Sequence, residues 1–93
     1  MAQNTTKTIA ASTWTQLTDA DVTGITFQNV GSNFLIVKAT TGATAPTDTT
    51  GAVRYNPGQG ERNVLLSDLF PGIAGKRVWA WAADITQVVV SHA

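Results

Sequence analysis

An all-β fold is what this sequence predicts: a small antiparallel β-sandwich or barrel, jelly-roll-like, of about six to eight short strands behind a polar N-terminal arm. Three observations predict it. Threonine occurs 15 times in 93 residues, and with Val and Ile it supplies β-branched side chains that suit a pleated surface. Glutamate occurs once, at Glu61, so strong helix formers other than Ala are scarce. Short apolar runs are separated by Gly, Pro, Asn and Asp clusters about every ten residues. A hydrophobic fraction of 43%, with three Trp, is enough to build a core, so the chain is not a disordered segment.

Taken in order, residues 1–7 are polar and aperiodic and read as an arm, and residues 8–93 as a single β domain. Thr8 to Leu17 holds one or two short strands, around Ala10–Ala11 and Trp14. Thr18-Asp19-Ala20-Asp21 is a turn whose side chains can bond nearby amides. Val22 to Val30 is a strand with Ile25 and Phe27 on one face and Thr26 and Gln28 on the other. Gly31-Ser32-Asn33 reads as a hairpin connection into Phe34–Thr40. The run Phe34-Leu35-Ile36-Val37 suggests a strand covered on both faces.

Residues 41–52 are a loop of small residues with two Gly and one Pro. A short strand at Ala52–Tyr55 leads to the turn Asn56-Pro57-Gly58-Gln59-Gly60, with Pro at the first corner and Gly at a positive φ. Arg62–Leu66 is a strand, and Ser67–Gly72 a single helical turn stopped by Pro71 and Gly72. Lys76–Ala83 is a strand with Trp79 and Trp81 on one face and Val78, Ala80 and Ala82 on the other. Ile85–Ser91 is the last strand. The expected core is Trp14, Ile25, Phe27, Leu35, Val37, Leu66, Trp79, Trp81, Val88 and Val90. Trp79 and Trp81 read as one wall of that core or as an anchor at a protein–protein contact.

Charge and chemistry then narrow the function. Six basic and six acidic residues give a net charge of zero, and charged residues are 13% of the chain. Such a surface cannot neutralise a row of phosphates, so nucleic acid is not an expected partner. Arg54, Arg62, Lys76 and Arg77 do lie near Tyr55, Trp79 and Trp81 in sequence, but so few charges make a poor stacking groove. There is no Cys, hence no disulfide framework and no thiolate ligand. The N-terminus has no apolar run behind a basic start, and apolar runs stop at four or five residues, so neither a signal peptide nor a membrane segment is expected.

Catalytic constellations are missing. Asp19 and Asp21 lack the dense oxygen set of a calcium loop. His92, near the chain end, reads as a surface histidine rather than a general base. Gly58-Gln59-Gly60 lacks the Lys and helix of a phosphate loop and reads as a turn. No catalytic residue, metal site or cofactor is expected, and a neutral Thr-rich β domain without a reactive site suits contact with other protein subunits.

The run from Trp14 to Val30 resembles small virion structural proteins of tailed bacteriophages. The features are a Trp-containing opening and Thr26-Phe27-Gln28-Asn29 ending a strand, followed by the Thr/Gly/Ala/Pro loop from Gly42 to Gly51. Val78-Trp79-Ala80 then precedes a Val-rich last strand. The resemblance runs from about Thr8 to Ser91, and the order of the features carries it. It implies a capsid decoration or cement subunit, or a base piece of a head fibre, without catalytic residues. It also implies a homo-oligomer, with a trimer favoured, placed on the capsid surface after synthesis in the host cytoplasm.

The expected function is therefore binding between capsid subunits, with the major capsid protein or another virion protein as partner. The contact residues expected are Ala2, Gln3, Asn4, Thr5 and Thr6 in the arm, Phe34 and Ile36 in the apolar strand, and Thr44, Pro46 and Thr47 in the loop. A head-fibre or tail-spike adaptor in low copy number is the alternative within the class. A carbohydrate-binding module, stacking sugars on Trp79 and Trp81, is the alternative outside it.

Overall fold

The computed structural model describes residues 3–92, and it is an all-β sandwich of two four-stranded antiparallel sheets. The strands are β1 (Gln3–Ile9), β2 (Thr15–Gln16), β3 (Gly24–Asn29), β4 (Leu35–Thr40), β5 (Val53–Tyr55), β6 (Gly60–Leu65), β7 (Arg77–Trp81) and β8 (Thr86–His92). One helical turn, α1 (Leu66–Leu69), follows β6. The first sheet has the order β1-β8-β3-β6 and the second β2-β7-β4-β5. The antiparallel pairs β1·β8, β2·β7, β3·β6 and β4·β5 are those of one long ribbon wrapped around a barrel, the eight-stranded jelly roll.

Each strand follows the alternation of its side chains. Ile25 and Phe27 of β3, Leu35 and Val37 of β4, and Val88 and Val90 of β8 all turn into the space between the sheets and are buried. Ile9, Leu17, Val22, Tyr55, Leu66, Val78, Ala80 and Ala82 complete that layer. Burial of a large apolar side chain contributes about 1.5–3 kcal/mol. Phe27 and Tyr55 meet edge to face in the middle, with ring centroids 4.9 Å apart.

Residues 3–7 are not an arm. They form most of β1, which pairs with β8 in an unbroken register from Gln3↔His92 to Ile9↔Thr86. The segment is polar because an edge strand needs few apolar residues, and only Ile9 reaches the core. Ala2 lies outside the described residues.

The expected hairpin at Gly31-Ser32-Asn33 is also corrected. β3 pairs with β6 and β8, whereas β4 pairs with β5 and β7, so the connection crosses from one sheet to the other. Buried Asn29 decides this. Its Nδ2 donates to the carbonyls of Asn33 (2.8 Å) and Tyr55 (3.1 Å), and its Oδ1 accepts from Gly31 N (3.1 Å) and Thr86 Oγ1 (3.0 Å). These four bonds use the full capacity of the amide and bend the chain away from β3. Gly31 is required there, since a Cβ would stand 2.0 Å from Thr86 Oγ1 and 2.5 Å from Gln87 N.

The turn between β5 and β6 is as expected. Gly58 has φ +86° and Gln59 N donates to the Asn56 carbonyl at 2.9 Å. A β-bulge interrupts the β3·β6 ladder between Ile25 and Phe27, and opposite it Asn63 adopts φ +47° and donates its N–H to Thr26 Oγ1 at 2.7 Å.

Candidate functional site

The feature of the surface that the core does not explain is the outer face of the β2-β7-β4-β5 sheet. In β7, Val78 and Ala80 turn inward and are fully buried, as is Ala82 just after the strand, which leaves Trp79 and Trp81 on the outside. The expectation that all three tryptophans form the core holds for Trp79 only in part, since it is buried but outside the inter-sheet cluster, and is corrected for Trp14 and Trp81, which are half-buried and also outside it. The Ala side chains of β7 leave room for the large residues that fill the layer, among them Phe27, Tyr55 and Leu17.

Trp79 is only 8% exposed although it faces outward. Its cross-strand neighbours are Gln16 on β2 and Lys38 on β4. Its Nε1 donates to Thr40 Oγ1 at 2.9 Å. Trp81 is half-buried and stands opposite Ile36, which in turn stands opposite Arg54. A row Trp81–Ile36–Arg54 thus crosses β7, β4 and β5. Trp14 precedes β2 and is half-buried. The guanidinium of Arg54 lies 4.0 Å from the ring centroid of Phe34, and its Nε donates to Asn56 Oδ1 at 2.9 Å.

Of the residues expected to make contacts, Ile36 lies in this row and Phe34 beside it, against the Arg54 guanidinium. The loop that carries Thr44, Pro46 and Thr47 folds back toward the same face, where Asp48 Oδ1 meets Lys38 Nζ at 2.9 Å. Thr44 and Thr47 are exposed and Pro46 is half-buried. Lys38's hydrogen bond and charge hold the Asp48 carboxyl below the usual carboxylate range. Gln3, Asn4, Thr5 and Thr6 belong to the other sheet and are not part of this face. The sequence places Trp14 in the expected core, leaves Trp81 open between core wall and protein contact, and carries no signal that joins Arg54 to this face. Alternation groups Trp79 with Trp81, but both sets of β7 residues are apolar, and only cross-strand register shows which set meets Lys38.

Two acidic residues form long-range bonds rather than local caps. Asp21 Oδ1 accepts from Arg77 Nε at 2.8 Å. Asp19 Oδ1 lies 3.2 Å from His92 Nε2, and the His92 side chain is fully buried. His92 is thus not a surface histidine. It ends β8 beside Gln3, whose Nε2 donates to the Leu17 carbonyl at 2.6 Å. Among the described residues, no group of three or more His, Asp or Glu side chains is placed to hold a metal ion.

Tyr55 joins the two sheets by donating its hydroxyl to Glu61 Oε2 at 3.1 Å. Burial, with the charge of Glu61, pushes the phenol well above the usual tyrosine value. An unfolded tyrosine titrates near pH ~10, so this group stabilises the fold below that pH and the contribution is lost as pH rises above it. Urea midpoints at pH 8 and pH 11 are expected to separate for the native chain. The gap is expected to narrow for Tyr55→Phe, and an equal gap would show that the phenol does not carry the effect.

No helix is long and apolar enough to cross a membrane, among the described residues. Comparison with protein-family models, with curated proteins and with solved structures found no match.

Proposed function

We propose that this chain is a non-enzymatic structural protein of a tailed-phage virion that decorates or cements the capsid by binding between capsid subunits. The observation that carries the reading is the row Trp81–Ile36–Arg54, with Phe34 under the Arg54 guanidinium, an aromatic and aliphatic stripe on the outside of a sheet whose inner face already supplies its half of the core. Large half-buried aromatics on a flat face, rimmed by Lys38, Asn56 and the 41–50 loop, are the composition of a protein contact. A standard interface takes about 800 Å² from each partner. That is about a sixth of the 4888 Å² accessible surface, so a chain this small can commit one sheet face to binding. The jelly roll agrees at the level of fold analogy only, since viral capsid domains and lectins both use it.

On this reading the partner is the major capsid protein or another virion protein, and the chain sits on the capsid surface as a homo-oligomer. Particles assembled without it break at lower temperature, and adding back the purified chain restores them. Trp81→Ala is expected to weaken capsid binding about 30-fold, the size of a ~2 kcal/mol anchor, while the melting temperature changes by a few degrees. Equal particle robustness with and without the protein would overturn the cement reading. A few copies per particle, by densitometry against the capsid subunit, would favour the adaptor instead.

The outward placement of Trp81 also favours a second reading, a carbohydrate-binding module that stacks sugar rings on this face. Quenching of tryptophan fluorescence by acrylamide, and its relief by oligosaccharides, tests it.

A further inference from the structure

The two sheets have four edges, and three of them are blunted. β2 is two residues long and β5 three, while β6 carries a bulge with Asn63 at φ +47°. Short strands and bulges are how β proteins prevent edge pairing. β1 is different. It runs seven residues in unbroken register with β8, contains no Pro, and carries one charge, Lys7. Lys7 Nζ is turned back to its own chain, where it donates to the Gln16 carbonyl at 3.1 Å. Among the described residues, backbone hydrogen bonds to β1 come from β8 alone. Every second residue of an edge strand points its N–H and C=O away from the sheet, so β1 presents an open row of donors and acceptors.

We propose that this edge pairs with itself. Two copies join antiparallel through β1, and the two β1-β8-β3-β6 sheets become one continuous sheet. The side chains allow it. Gln3, Lys7 and Ile9 turn toward the inside, whereas Asn4, Thr6 and Thr8 are exposed on the outer face. A two-fold axis perpendicular to the sheet keeps inner and outer faces apart, and opposed residues of an antiparallel pair share a face. The axis must therefore pass between a residue and its own copy.

Centred on Thr6, the pairing sets Thr6 against Thr6 of the partner subunit and Asn4 against Thr8 of the partner subunit. Thr5 then meets Lys7 of the partner subunit, so the one charge on the strand never meets itself. Threonine pairs are favourable across strands, and a net charge of zero leaves no long-range repulsion between copies. This contact is isologous and closes at two copies, whereas a three-fold assembly needs a different, head-to-tail contact. It uses the opposite sheet from Trp81 and does not rest on the capsid reading.

The test is the solution mass of the full chain by light scattering or sedimentation. The native chain is expected at twice 9.8 kDa. Thr6→Lys and Thr6→Glu each place like charges on the axis and are expected to be folded monomers at low salt, with at least tenfold weaker association. An equimolar mixture of the two is expected to recover the dimer. Trp81→Ala is expected to leave the dimer unchanged. A native monomer or trimer, a Thr6→Lys chain as dimeric as the native one, or dissociation by Trp81→Ala instead would overturn the proposal.

Discussion

Phe27→Ala is expected to destabilise the fold by about 3–5 kcal/mol, the cost of emptying a large aromatic site that cannot collapse. Phe27 is 1% exposed, lies between the two sheets, and holds Tyr55 edge to face. Part of the loss is that ring pair, about 0.5–1.5 kcal/mol beyond area burial. A domain of this size has only about 5–15 kcal/mol in total. With a shift of about 4–8 °C per kcal/mol, the melting temperature drops by more than about 12 °C. Phe27→Leu, which keeps most of the volume, is expected to cost about 1.5 kcal/mol or less. Urea and thermal unfolding followed by circular dichroism check both. A loss under about 1 kcal/mol for the Ala variant would mean that the two sheets do not close over this ring.

Asn29→Ala is expected to cost about 3 kcal/mol or more, and by a different mechanism. The amide is fully buried and spends all four of its hydrogen bonds on the crossover between sheets. Removing it strands the carbonyls of Asn33 and Tyr55 and the hydroxyl of Thr86, each costing about 1–3 kcal/mol if it stays dry. Gly31 N is less affected, because it also donates to the Gln87 carbonyl at 3.1 Å. Asn29→Asp keeps the shape but loses both donors and points oxygen at two carbonyls. Burial raises the pKa of such a carboxyl, so the charged form is the disfavoured one. The Asp variant is expected to lose stability further as pH rises from 4 to 7, while the Ala variant stays flat. Parallel pH profiles for the two variants would remove the buried-amide account.

Much of the strand content was legible because it rests on local chemistry. Ile25 and Phe27 alternate with polar Thr26 and Gln28 at period two, and the short apolar runs Phe34–Val37 and Val88–Val90 are bounded by turn and polar residues, which marks strands in both cases. The Pro57-Gly58 corner was legible for the same reason, since a positive φ at Gly58 is a property of that residue and its neighbours. The terminal strand β1 was not legible. Its Thr and Asn residues look like an arm until Val88 and Val90 of β8 are placed beside them.

The candidate face was half legible. Phe34 and Ile36 stood out as an apolar run, and the pairing of Trp79 with Trp81 followed from alternation. Which side of β7 faces the core did not follow, because Val78, Ala80 and Ala82 are as apolar as the Trp pair. The all-β character, the strand periodicity, the tight turns and the low charge follow from local composition and pattern. The order of the strands, the burial of His92 beside Asp19 and the outward turn of Trp81 come from packing between distant segments. The physical reason is that alternation specifies which residues share a face, whereas the partner strand specifies what that face meets. The partners lie far away in sequence, as in Ile36↔Trp81 and Gln3↔His92, and no local propensity encodes them.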